Sequence, residues 1–117
     1  WVLIELGGND ALRGFPLSTT ENNLKQMIQA AQTQKAKVLL LGMEVPPNYG
    51  PEYTRNFKQM FVRLSQQQRI PLVPFLLKGV ADGPEPTALF QEDRIHPKAQ
   101  AHPIILGNVW SVLKKWL

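Results

Sequence analysis

The chain has 117 residues, of which 44% are hydrophobic and 19% charged, and carries a formal net charge of +4. That length admits one compact domain and not two, and that hydrophobic share supports a buried core rather than a disordered polymer. With no cysteine present, disulfides, thiolate metal sites and cysteine nucleophiles are excluded. A positive chain raises the question of nucleic acid, but its 13 Lys and Arg residues are scattered from Arg13 to Lys115, and only Lys114-Lys115 adjoin. A phosphate-tracking surface needs clustering, so no nucleic-acid partner is expected. No apolar run exceeds that of Val38 to Leu41, far short of the ~20 residues of a bilayer span, so no integral membrane segment is expected either. The chain opens on Trp1 with no Met and no basic leader. An internal start is the expectation, with processing or trimming as alternatives.

Trp1-Val2-Leu3-Ile4-Glu5-Leu6 is a nearly continuous apolar run ending in Gly7-Gly8, the pattern of a strand buried on both faces of a parallel sheet. Ser18-Thr19-Thr20-Glu21 matches a capping box. Leu24, Met27, Ile28 and Ala31 follow at helical spacing, which predicts a helix from about Thr20 to about Gln34. Val38-Leu39-Leu40-Leu41 reads as a second buried strand. The segment Pro46-Pro47-Asn48-Tyr49-Gly50-Pro51 is a rigid loop dense in turn formers. Tyr53, Phe57, Met60, Phe61 and Leu64 then form the stripe of a second helix. Pro71-Leu72-Val73-Pro74-Phe75 reads as a short edge strand, because Pro74 cannot donate to a ladder. From Gly79 to Glu92 the sequence predicts a loop with one helical turn near Ala88. A last helix starts at about Ala99, with Ile104, Ile105, Val109, Val112 and Leu113 facing inward.

Alternating strands and helices with short connections imply a single α/β domain, a parallel sheet covered by helices on its faces. In such sheets functional residues gather in loops at the carboxyl ends of strands. Two polar constellations fall there. Gly7-Gly8-Asn9-Asp10 follows the first strand; its glycines let backbone approach a ligand closely, and Asn9 offers an amide donor. An ordinary strand-ending turn has the same composition. Asp93-Arg94-Ile95-His96-Pro97 lies between the third strand and the last helix. A carboxylate three residues before an imidazole reaches its Nδ1 and leaves Nε2 free to take a proton. A local Asp-His hydrogen bond at a helix start is the structural alternative.

Taken together and in this order, the two constellations resemble the third and fifth sequence blocks of the SGNH (GDSL-like) hydrolases, a family of esterases, lipases and thioesterases. The stretch Trp1 to Phe15, with Pro46-Pro47-Asn48-Tyr49-Gly50 and Pro71-Leu72-Val73-Pro74-Phe75, is similar to the bacterial acyl-CoA thioesterase, lysophospholipase and arylesterase subfamily. The resemblance covers essentially the whole chain. It implies a three-layer, flavodoxin-like fold of five parallel strands, of which this chain supplies the last three.

The resemblance also assigns roles. His96 would be the general base, Asp93 its orienting partner, and Asn9 a donor of the oxyanion hole. Gly8 would contact substrate, and so would Ala11, Leu12 and Phe15 in a segment from Ala11 to Leu17 that would move over the acyl chain. Met43, Val45 and Pro46 would line the other side. The substrate would be a small acyl ester or thioester, and no metal or organic cofactor is expected. Family members usually carry Gly where this chain has Arg94; the arginine either alters the charge beside the base or points to solvent. The family's nucleophile block, Gly-Asp-Ser, and its oxyanion glycine block are both absent, and Ser18, Ser65 and Ser111 sit in no comparable turn.

Three expectations follow. The chain begins partway through a larger domain and is inactive alone. Its first strand, lacking a neighbour, exposes an edge that dimerises, aggregates or retains a separate N-terminal segment. The resemblance points to the periplasm or to secretion. The alternative is a non-catalytic binding or assembly module that kept the fold after losing its nucleophile.

Overall fold

In the computed structural model, which describes residues 1–117, the apolar run Val38–Leu41 is the central strand, β2, of a three-stranded parallel sheet. It is flanked by β1 (Val2–Ile4) and β3 (Leu72–Val73) in the order β1-β2-β3. The register sets Val2, Leu3 and Ile4 beside Val38, Leu39 and Leu40, and sets Leu40 and Leu41 beside Leu72 and Val73. Parallel neighbours need a crossover between them. Helix α2 (Leu17–Thr33) supplies the first and α3 (Pro51–Gln68) the second. A short helix, α1 (Gly8–Leu12), precedes α2, and α4 (His102–Leu113) closes the chain.

Side chains alternate across a strand, so β2 serves two cores. Val38 and Leu40 meet Leu24 and Ile28 of α2 and Phe57, Phe61 and Leu64 of α3. Within that layer Phe57 and Phe61 pack edge to face, with ring centroids 5.1 Å apart. Leu39 and Leu41 meet Val73, Leu76 and Phe90, and Ile105, Val109 and Val112 of α4 cover them. Helices therefore lie on both faces of the sheet, as the sequence implied.

Local features depart from expectation. Helix α2 begins at Leu17 behind Pro16, with no side-chain cap. Ser18 is already helical, and the Glu21 carboxylate is engaged by Arg63 instead of the helix start. Pro16 explains this, since its ring fixes φ and it ends the preceding turn. Met27, placed in the core by spacing, is exposed, and the buried face of α2 is carried by Thr20, Leu24 and Ile28. Ile104 is likewise exposed, lying over Gly79, while Ile105, Val109, Val112 and Leu113 pack inward. The region around Ala88 forms hydrogen-bonded turns rather than a helix, with Ala88 and Phe90 amides donating to Glu85 and Thr87. A helical start for the last segment holds, but its first residues, Ala99–Ala101, form a 3-10 turn. Strand β1 is shorter than its apolar run. Val2 and Leu3 are exposed at the sheet edge and only Ile4 is buried.

Candidate active site at the carboxyl end of the sheet

At the end of β1, Gly7 takes φ +109, a conformation that L side chains rarely adopt. A Cβ there would lie 3.4 Å from Thr20 Cγ2 and 3.6 Å from Phe61 Cζ. This turn swings the chain directly into α1, so Asn9 and Asp10 stand in its first turn. Thr20 Oγ1 donates to Asp10 Oδ2 at 2.9 Å, which ties α1 to α2. Beyond β2, Gly42 passes so close to the next strand that a Cβ would fall 2.4 Å from the Pro74 carbonyl oxygen. Its N–H donates to Val73 O at 2.7 Å and its C=O accepts from Leu76 N–H at 2.9 Å. That close pass extends the parallel pairing and brings Met43, Leu76 and Leu77 to the same end of the sheet.

The Asp93–His96 segment is held as a tight turn. Phe90 and Pro97 form an antiparallel bridge, and the Gln91 amide donates to His96 O at 2.8 Å. Asp93 Oδ1 accepts from the Ile95 and His96 amides at 2.9 and 3.0 Å, while its Oδ2 accepts from His96 Nδ1 at 2.6 Å. The imidazole hydrogen bond, then the two amides, hold the Asp93 carboxyl at about 2, well below its ordinary 3.8. Arg94, at the apex, has φ +58. Left-handed backbone there curls the two following amides back onto the carboxylate.

A cleft of about 820 Å³ opens at this end of the molecule. Asn9 from α1 and His96 from the turn both line it, so residues far apart in sequence converge on one space. Burial raises the carboxyl of Glu5, on the same wall, against the opposing pull of the His96 charge. The profile of the GDSL-like lipase/acylhydrolase family matches residues 1–104. The chain belongs to that family.

Esterase TesA of Pseudomonas aeruginosa is 46% identical over 116 residues, covering 99% of this chain and 56% of the relative. Thioesterase 1/protease 1/lysophospholipase L1 of Escherichia coli is 40% identical over 105 residues, covering 90% of this chain and 49% of the relative. A crystal structure of TesA superposes with a TM-score of 0.91 at 46% identity, covering 99% of this chain and 63% of that one. The chain thus spans about half the length of the curated relatives it matches, and its three strands are part of the family's α/β fold.

Among the residues singled out from the family pattern, Gly8, Asn9, Leu12, Met43 and His96 line the cleft. Asp93 stands behind His96, off the cleft wall, in contact with the far ring nitrogen. Ala11, Phe15, Val45 and Pro46 do not line it. Ala11 is 1% exposed and Val45 7%, both packed into the core beneath α2 and α3, because α1 is one helical turn whose inner face must be buried. Phe15 and Pro46 are exposed outside the cleft. For Ala11 and Val45 the cause is plain: an apolar loop residue satisfies its burial against the nearest core, and spacing does not say which. The sequence reading missed Met27, Leu76, Leu77, His102 and Ile105, which do line the cleft. Met27 carried no such signal, since its spacing set it on the stripe of α2 with Leu24 and Ile28.

No serine lines the cleft. Ser65 Oγ donates to Ile70 O at 2.7 Å and Ser111 Oγ to Asn108 O at 3.0 Å, each satisfied within its own helix end. Ser18 sits on α2, beside Glu21 and Arg63. No group of three or more His, Asp and Glu side chains is arranged to hold a metal ion, and no helix is long and apolar enough to cross a membrane.

Proposed function

We propose that this chain supplies the base and oxyanion side of a serine hydrolase of small acyl esters or thioesters. The observation that carries this reading is the convergence of Asn9 and His96 on one cleft, with His96 Nδ1 bound to Asp93 at 2.6 Å. That contact fixes the tautomer with the proton on Nδ1 and leaves Nε2 basic. In the reaction, Nε2 takes the proton of a serine hydroxyl as its oxygen bonds to the acyl carbonyl carbon. The carbonyl oxygen becomes an oxyanion, which accepts a hydrogen bond from the Asn9 amide. A preorganised donor of that kind is typically worth about 3 kcal/mol of barrier. As the tetrahedral species collapses, the leaving alcohol or thiol takes the proton from Nε2. Water then attacks the acyl-serine by the same route, and the carboxylic acid is released. Met43, Leu76 and Leu77 offer an apolar wall for the acyl chain.

The serine comes from a segment equivalent to the part of the relatives that this chain does not span. The 117 residues alone therefore have no turnover. The free edge of β1 takes up either that segment or a second copy. Hydrolysis of p-nitrophenyl butyrate by the polypeptide carrying a Gly-Asp-Ser block, lost in His96→Ala and in Asn9→Ala, is the expected result. Full activity of the His96→Ala variant refutes the assignment. Turnover by residues 1–117 alone, abolished by His96→Ala, refutes the need for an outside serine. Sedimentation of the 117-residue chain as a monodisperse monomer refutes the edge association.

A further inference from the structure

Two tyrosines, one from the β2–α3 connection and one from the start of α3, bond the segment that follows α1. Tyr49 ends the 3-10 turn Pro47–Tyr49, and Tyr53 lies in the first turns of α3. Their rings stack with centroids 6.3 Å apart. The Tyr49 hydroxyl donates to the Leu12 carbonyl and the Tyr53 hydroxyl to the Phe15 carbonyl, each at 3.2 Å. Between those two carbonyls runs a tight turn. Gly14 has φ +69, and the Gly14 and Phe15 amides donate to Ala11 and Asp10 oxygens at 3.0 Å. Leu12 and Arg13, at the head of this turn, line the cleft.

We propose that Tyr49 and Tyr53 are positioning residues for this wall, their hydroxyls holding the Leu12–Phe15 turn against the start of α3 so that Leu12 and Arg13 keep the cleft's width. The Leu12 carbonyl ends α1 and has no partner within so short a helix, so a phenol is its natural donor. Pro46, Pro47 and Pro51 surround Tyr49 and stiffen the segment from which the phenols reach. Burial, then Asp10 and Tyr49, push the Tyr53 phenol upward, which keeps it a donor. For its effect on substrate the proposal rests on the acyl-cleft reading; for the latch itself it does not.

Limited trypsin digestion tests the two separately, because Arg13–Gly14 is a cleavable bond inside the pinned turn, while Lys78–Gly79 and Arg94–Ile95 lie elsewhere. Tyr49→Phe and Tyr53→Phe keep both rings and remove only the hydroxyls. Each is expected to raise the rate of cutting at Arg13–Gly14 about fivefold, the change that follows when one hydrogen bond restrains local opening. The two remote bonds should be cut at unchanged rates. An unchanged rate at Arg13–Gly14, or an equal rise at all three bonds, overturns the proposal. In the unaltered chain the Gly14 and Phe15 amides should exchange slowly with solvent, and random-coil exchange there overturns it as well. Decanoate, added to the unaltered chain, should slow cutting at Arg13–Gly14. If it gives no protection while the Phe variants still accelerate cutting, the latch stands and the acyl reading of this wall falls.

Discussion

Arg94→Gly should stabilise this chain, although it removes a side chain and adds backbone freedom. Arg94 sits at φ +58, a region that costs a residue with a Cβ about 1–2 kcal/mol and glycine nothing. Glycine also loosens the unfolded chain, which offsets about 0.4–1 kcal/mol of that gain. The net expectation is a stabilisation of about 0.5–1 kcal/mol, a rise in Tm of roughly 3 °C for a domain of this size. Arg94→Ile should move in the opposite direction by about 1 kcal/mol or more, because a branched Cβ is least tolerated in the left-handed region. The site gives a second readout. The 2.9 and 3.0 Å bonds from the Ile95 and His96 amides to Asp93 depend on this curl, so those amides should stay protected from exchange in Arg94→Gly and lose protection in Arg94→Ile. Arg69, at φ +55 beyond α3 and remote from the cleft, provides a control. Arg69→Gly should raise Tm similarly and leave Ile95 and His96 untouched. Thermal unfolding followed by circular dichroism decides the matter. If Arg94→Gly is no more stable than the parent, and Arg94→Ile equals both, the backbone argument is refuted.

Other expectations bear on the same end of the sheet. The Asp93 carboxyl is lowered from 3.8 to about 2 in the folded chain, so the stability it contributes is present above its ordinary value and lost as pH falls through that window. Acid unfolding of Asp93→Asn should therefore be less pH-dependent between 3.8 and about 2, and a parallel pH profile for the two proteins contradicts the pairing. Gly42→Ala forces a methyl to within 2.4 Å of the Pro74 carbonyl oxygen, and rigid backbone must yield. Urea unfolding should reveal a loss of about 2–3 kcal/mol, accompanied by loosened Leu76 amide protection; an unchanged midpoint means the strands are not so closely apposed. Phe61→Ala removes a fully buried ring that packs on Phe57 beneath Gly7. It should cost about 3–5 kcal/mol by the same measurement, and a loss below about 1 kcal/mol argues against the packed layer.

Much of this protein was determined by pattern alone. Val38–Leu41 is apolar on both faces, which only a strand between two helical layers satisfies. The stripe of α3 placed Phe57, Met60, Phe61 and Leu64 in the core, and the Asp93 to His96 spacing is short enough for one turn to bring the two side chains together. Where each apolar loop residue buries itself was beyond the sequence. Ala11 and Val45 turned into the core and Met27 turned out to the cleft, because helix phase and layer position are set by contacts many residues away. The same holds for Pro16, which started α2 ahead of its capping signature. Bringing Asn9 and His96 to one cleft required the parallel register of β1, β2 and β3. Local sequence can specify a turn or a stripe, but the separation between two such features is decided only when the strands that carry them are paired.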